Sequence, residues 1–152
     1  MSKFRFNPDS EKLYENHFTN NLIIAYPKGD GYNYRDINDI QHSVLDSVTM
    51  ENEYGEMKGT GFNNALLLLK AGAKVARAGW NGKGMHLIIV EPYNDMGITD
   101  AQVSKVTEGT LLPWIGMKTA DNKFVPWLAS QTDMLAEDWV IVIEPATPSV
   151  QG

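Results

Sequence analysis

Two short stretches hold the residue types that can bind or transform a ligand. The first is Arg77 to Met85, RAGWNGKGM; the second is Thr119 to Trp139, TADNKFVPWLASQTDMLAEDW. In the first, Gly79, Gly82 and Gly84 let a backbone approach a ligand and expose N–H groups to anions. Trp80 offers a flat face for a base, an interaction of about 1–3 kcal/mol, and Arg77 and Lys83 can meet a phosphate. Asn81 adds a polar edge. No Gly-Lys-Ser/Thr opens a helix, and the glycine spacing is not the dinucleotide fingerprint. The plain alternative is a tight hairpin whose Trp packs on a sheet.

The second stretch places Trp127 before Ser130, Gln131, Thr132 and Asp133, four consecutive hydrogen-bonding side chains. Ser130, Gln131 and Thr132 are neutral donors and acceptors suited to ribose hydroxyls and base edges, and Asp133 can accept from a ribose diol or a base amine. The local alternative stays open: Ser130 or Thr132 caps a turn and Asp133 satisfies backbone N–H groups. Trp139 reads as a core anchor of the last strand. Neither stretch pairs a nucleophile with a base, so no catalytic residue is assigned. His17, His42 and His86 lack metal-ligand spacing, so neither a metal nor a cofactor is expected. Acid pairs such as Asp95 with Asp100, or Glu137 with Asp138, keep a hydrolase open, because two acids can meet in space without meeting in sequence.

The elements that must hold these stretches follow from periodicity. Thr60 to Gly72 predicts a helix capped by Thr60, with Phe62, Ala65, Leu66 and Leu69 on one face and Gly72 as the left-handed terminator. Ala73–Ala78 and Met85–Glu91 read as a hairpin around the glycine-rich tip. Leu111–Lys118 and Lys123–Leu128 read as a second hairpin turned at Ala120-Asp121-Asn122, with Pro113 and Pro126 at edges or bulges. Trp139–Glu144 is the final strand, and Ile98–Val106 a short helix capped by Thr99. Before residue 60, Leu22–Tyr26 reads as a strand. Asp36–Val48 reads as an amphipathic helix through Ile37, Ile40, Val44 and Val48, and Met50–Gly61 as a linker. The expectation is an α+β fold: a small antiparallel β-sheet of four to five strands packed on one main helix, with an extra N-terminal α/β lobe. Residues 1–59 form that lobe, 60–145 the core domain and 146–152 a disordered tail.

The 152 residues carry 13 Lys and Arg against 19 Asp and Glu, a net charge of −6. Such a chain is a poor ligand for long nucleic acid, whose binding rests on cation–phosphate contacts. Cysteine is absent, which removes disulfides, thiolate nucleophiles and thiolate metal sites. The N-terminus has no apolar signal region, and no apolar run is long enough to span a bilayer, so no membrane partner is expected. Trp80, Trp114 and Trp127 lie near turns or proline bends, a placement that also suits a subunit interface.

Several motifs in combination resemble a phage-borne family. They run Phe62-x-x-Ala65-Leu66-x-x-Leu69-Lys70-x-Gly72, then Lys74-Val75-Ala76-Arg77-x-Gly79-Trp80-Asn81-Gly82-Lys83-Gly84-Met85, then Met117-Lys118-Thr119-Ala120-Asp121. The last is Val125-Pro126-Trp127-x-Ala129-Ser130-Gln131-x-Asp133-x-x-Ala136-x-Asp138-Trp139. Over Gly61 to Glu144 the chain resembles Thoeris anti-defence proteins of the second type. The resemblance implies a non-catalytic sponge that holds a glycocyclic ADP-ribose signal intact and starves the Thoeris effector. It also implies a homo-oligomer, dimer or tetramer, with ligand held between subunits in the cytoplasm of the infected bacterial host. Binding of a cyclic oligonucleotide at a second site is a further implication. Carried over by residue match, the ligand-binding set is Trp80, Asn81, Trp127, Ser130, Gln131 and Asp133, with Arg77 added for the pyrophosphate. The N-terminal sixty residues and an expanded Pro92–Thr110 segment depart from the compact family pattern. Two other functional classes stand beside the sponge: a hydrolase of a cyclic nucleotide signal using Asp133 or Asp138 as base, and a protein-binding inhibitor of an immune enzyme.

Overall fold

The computed structural model describes residues 4–38, 41–80 and 84–143. Among them the chain is α+β, with two antiparallel five-stranded sheets and five helices. The first sheet contains β1 (Lys12–Asn16), β2 (Leu22–Lys28), β3 (Gly31–Asp36), β4 (Ser43–Asp46) and β5 (Tyr54–Glu56), in the order β4-β3-β2-β1-β5. Helix α1 (Ser47–Glu53) connects β4 to β5. β2 is central, and its run Leu22-Ile23-Ile24-Ala25 is buried throughout. A continuous apolar run is what a strand covered on both faces requires. Leu22 and Ile24 face the main core, while Ile23 and Ala25 pack with Met50 of α1 under Tyr14, Tyr32 and Tyr34.

The second sheet follows α2 (Phe62–Lys70). It contains β6 (Lys74–Arg77), β7 (His86–Val90), β8 (Trp114–Lys118), β9 (Phe124–Pro126) and β10 (Trp139–Val142), in the order β10-β6-β7-β8-β9. Three one-turn helices are inserted: α3 (Pro92–Asp95), α4 (Asp100–Val103) and α5 (Gln131–Met134). Pro126 ends an edge strand, as its missing N–H demands. Gly116 of β8 lies under Phe124 and Trp114; a Cβ there would sit 2.2 Å from the Phe124 ring. Thr99 caps α4 in a reciprocal box with Gln102, within the region where the apolar spacing predicts a longer helix.

One core joins the two sheets through α2. Leu13, Leu22, Ile24 and Ile37 from the first sheet and its flank meet Ala65, Leu68 and Leu69 of α2, and these meet Val75, Leu87 and Trp139 of the second sheet. Buried Asn64 adds a polar tie, its Nδ2 donating to the Asn20 carbonyl at 2.8 Å and the Thr60 hydroxyl at 2.9 Å.

Three sequence expectations are corrected. Asp36–Val48 is not a helix. Tyr32 pairs with Leu45 and Tyr34 with Ser43 across β3 and β4, and Val44 and Val48, meant for a buried helix face, are 78% and 67% exposed. Alternating tyrosines and the sheet edge outweigh a coincidental three- and four-residue spacing, because strand pairing is decided by tertiary context. Ile40 lies outside the described residues. The proposed Met50–Gly61 linker instead contains most of α1 and all of β5. Its polar composition reflects a helix capped by Asp46, whose Oδ1 accepts from the Thr49 N–H at 2.9 Å, and a sheet edge. Finally, Thr60 does not cap α2: it forms a β-bridge with Trp139, and Gly61 occupies the cap position without a side-chain bond. Gly72 does take the left-handed conformation after α2, at φ 95°.

Candidate functional site

The two chemistry-bearing stretches meet at one end of the second sheet. Arg77 is the last residue of β6 and pairs with Trp139, the first residue of β10. This register puts Asp138 beside the chain turning out of β6. Ala78 donates its N–H to the Asp138 carbonyl at 2.9 Å, and Gly79 donates to Asp138 Oδ2 at 3.2 Å. Arg77 Nε donates to Asp138 Oδ1 at 2.7 Å, and Arg77 Nη1 donates to Asp133 Oδ1 at 3.2 Å. A single guanidinium thus bridges the start of the glycine-rich loop, the α5 turn and the head of β10.

Asp133 is shared. Its Oδ2 accepts from the Ser130 N–H at 3.1 Å and the Ser130 hydroxyl at 2.7 Å, while Ser130 Oγ accepts from the Asp133 N–H at 3.1 Å. This reciprocal capping box starts α5, and it is the local arrangement that Ser130 and Asp133 admit on sequence grounds. Burial pushes the Asp133 carboxyl up, but the Ser130 donors and the Arg77 guanidinium outweigh it and hold it below its ordinary range. Asp138 is held low chiefly by its bond to Arg77, against burial and with help from the Gly79 N–H. The same bond to Asp138 raises Arg77. In this clamp one cation meets two carboxylates.

Beside the clamp lies an aromatic cluster. Trp139 is fully buried, as a core anchor should be, and its Nε1 donates to the Asp133 carbonyl at 3.0 Å. Trp80 stands edge-on to it at 5.5 Å between ring centroids, and Trp127 edge-on at 6.1 Å. Phe62 of α2 completes the group, 5.5 Å from Trp139 and 6.2 Å from Trp127. Edge-to-face packing of this kind fixes ring orientation. Trp80 and Trp127 are half-buried, each keeping part of its indole accessible, and Ser130 and Gln131 are exposed.

Of the sequence-predicted residues, Arg77, Trp80, Trp127, Ser130 and Asp133 are brought into one neighbourhood, with Gln131 at the start of α5 beside them. Asn81 and Lys83 lie outside the described residues. Phe62 is not among the sequence-predicted site residues, and Asp138 enters there only as a candidate base of the alternative hydrolase, not as part of the ligand-binding set. The signal for Asp138 was an acid whose strand pairs with the one ending in Arg77; without the register, that pairing is invisible. A cavity of about 320 Å³ opens elsewhere, against the first sheet, and none of the predicted residues lines it. Among the described residues no group of three or more His, Asp or Glu side chains is placed to hold a metal ion. No helix among them is long and apolar enough to cross a membrane.

Comparison with known proteins assigns this part of the chain to a family. Residues 60–142, more than half of the chain, match the family model described as Tad2-like, Thoeris anti-defense 2-like domain. Thoeris anti-defense 2 of Bacillus phage SP01 is 44% identical over 84 residues, covering 53% of this chain and 92% of that relative. The matched span runs from the bridge at Thr60 to the end of β10 and so contains α2, the whole second sheet, the clamp and both accessible indoles. The chain belongs to the Thoeris anti-defense 2-like family.

Proposed function

We propose that this protein sequesters a cyclic ADP-ribose-type immune signal, of the glycocyclic kind, and releases it chemically unchanged. It thereby blocks activation of the Thoeris effector in the cytoplasm of the infected host. The observation that carries this reading is the pair of half-accessible indoles, Trp80 and Trp127, both braced edge-on by the buried Trp139. Braced aromatic faces bind a flat base with little ordering cost, and sequestration needs preorganisation rather than chemistry. Ser130, Gln131 and Asn81 supply neutral hydrogen bonds to the riboses.

The clamp refines the assignment of charge. Arg77 is committed to Asp138 and Asp133, so it positions the site more than it meets a phosphate, and N–H groups of the glycine-rich loop take the pyrophosphate. The two acids a hydrolase would use as base are the ones bound to Arg77 and held ionised. A carboxylate with a depressed pKa is a weak general base at neutral pH, which favours binding over cleavage.

The pocket is completed between subunits of a homo-oligomer. Leu128 is 91% and Leu135 79% exposed, and both lie within the Trp127-to-Trp139 segment. Exposed apolar side chains next to a half-open aromatic site suit a subunit contact. The deciding experiment is stoichiometric incubation with the cyclic ADP-ribose-type signal, removal of free ligand and heat denaturation. Intact ligand in the supernatant supports the reading; a hydrolysis product, or ligand consumed beyond stoichiometry, overturns it.

A further inference from the structure

The cavity of about 320 Å³ belongs to the first sheet and to residues that precede the family-matched span. Its floor is the cross-strand pair Glu15 and Gly55 of β1 and β5. The His17 imidazole lies directly over Gly55: a Cβ on that glycine would fall 2.8 Å from the ring. Glycine therefore keeps the floor bare with the imidazole in place. Lys58 and Gly59 form the facing wall, and a Cβ on Gly59 would lie 3.0 Å from the Glu137 carbonyl oxygen, so the wall is pressed against the segment leading into β10.

The groups that line this groove differ in their commitments. Glu56 is paired with Lys12 at 2.9 Å. The half-buried Glu15 carboxylate accepts from Asn64 Nδ2 at 3.4 Å but has no Lys or Arg within ion-pair distance among the described residues, and burial, helped by Glu137, pushes it up against a hydrogen bond from Thr60 and the charge of His17. The Lys58 ammonium likewise has no carboxylate at ion-pair distance among those residues. The groove thus offers a cation and an imidazole beside a desolvated acceptor, in a volume at the lower end of small-molecule sites, about 300 Å³. Ammonium and imidazole suit an oxyanion; an acceptor without a cation suits a hydroxyl or amine.

We propose that this groove is a second ligand site, taking a small molecule that carries an oxyanion beside a hydroxyl or amine, held by Lys58, His17 and Glu15. It shares no lining residue with the aromatic corner, although its Gly59 wall abuts Glu137 and Asp138. The phosphate of a sugar phosphate and the carboxylate of an amino acid both satisfy this chemistry. The test is a titration of the isotope-labelled full chain with ribose 5-phosphate, L-serine and inorganic phosphate, following the Gly55 and Gly59 amides and the His17 ring by NMR. Saturable shifts with ribose 5-phosphate or serine, at least about ten-fold tighter than with inorganic phosphate, are expected, and the tighter probe identifies the source. Lys58→Ala and His17→Ala, both at exposed positions, should each weaken binding about ten-fold, and Glu15→Gln should remove the preference over inorganic phosphate. No saturation with any probe at millimolar concentration, or unchanged affinity in Lys58→Ala, overturns the proposal.

Discussion

Arg77 Nε meets Asp138 Oδ1 at 2.7 Å across residues 61 positions apart in sequence, and this contact ties the two halves of the aromatic site together. Asp138 also accepts from the Gly79 N–H, one residue before Trp80. Asp138→Ala should therefore loosen the loop that carries Trp80 and weaken ligand capture by about ten-fold or more. Its cost to stability should be small, about 1 kcal/mol, because the pair is partly solvated. Calorimetric titration beside a thermal melt separates the two effects. Equal losses in both would mean that the clamp serves folding alone.

The three clustered tryptophans should respond differently to truncation. Trp139→Ala removes a fully buried side chain that touches Phe62, Trp80 and Trp127, and should cost about 3–5 kcal/mol. Trp80→Ala and Trp127→Ala, at half-buried positions, should leave a folded protein that no longer captures the signal. Circular dichroism checks the fold and ligand retention on a spin filter checks capture. Retained capture in both variants would move the pocket away from the indoles.

Acid should open the clamp. Asp133 and Asp138 titrate below their ordinary range in the folded protein, so the stability they contribute is present above the unfolded carboxyl pKa of about 3.9 and is lost as pH falls through the lower folded values. Ligand affinity should be flat from neutrality down to about pH 5 and fall below about pH 4. An affinity that declines already between pH 7 and 6 would point to a histidine instead.

Gly59 carries a constraint that its polar neighbours do not advertise. A Cβ there would lie 3.0 Å from the Glu137 carbonyl oxygen and 3.3 Å from Asp138 Cα, both backbone atoms. Gly59→Ala should push the Glu137–Asp138 segment, lower the melting temperature and weaken capture at the aromatic site. Gly29→Ala gives the comparison: its left-handed φ of 59° is strained for alanine but nothing crowds it, so it should affect stability without affecting capture.

Leu128→Asp and Leu135→Asp should shift the protein toward monomer in light scattering and lower ligand affinity together, if the pocket is shared between subunits. A monomeric variant with full affinity would place the whole site within one chain.

The family, the α2 helix, both hairpins of the second sheet and the segments that carry the site are legible in the linear chain. They depend on local signals: apolar periodicity in Phe62–Leu69, glycine at 72, turn residues at 120–122 and a capping residue at Ser130. Trp139 as a core anchor is legible for the same reason, since it heads a β-branched apolar strand. What the linear chain does not contain is which strand lies beside which. Only the β6–β10 register converts Arg77 from a free cation into one held by Asp138 and Asp133, and only the packing on Trp139 makes Trp80 and Trp127 braced plates. The same limit turned Asp36–Val48 into a false helix, because the spacing of Ile37, Val44 and Val48 fits a helix as well as it fits a strand and a turn, and the pairing with Tyr32 and Tyr34 decides between them. Periodicity reports which residues want burial; long-range hydrogen bonding and side-chain contact decide where that burial occurs and which charges are left to meet a ligand.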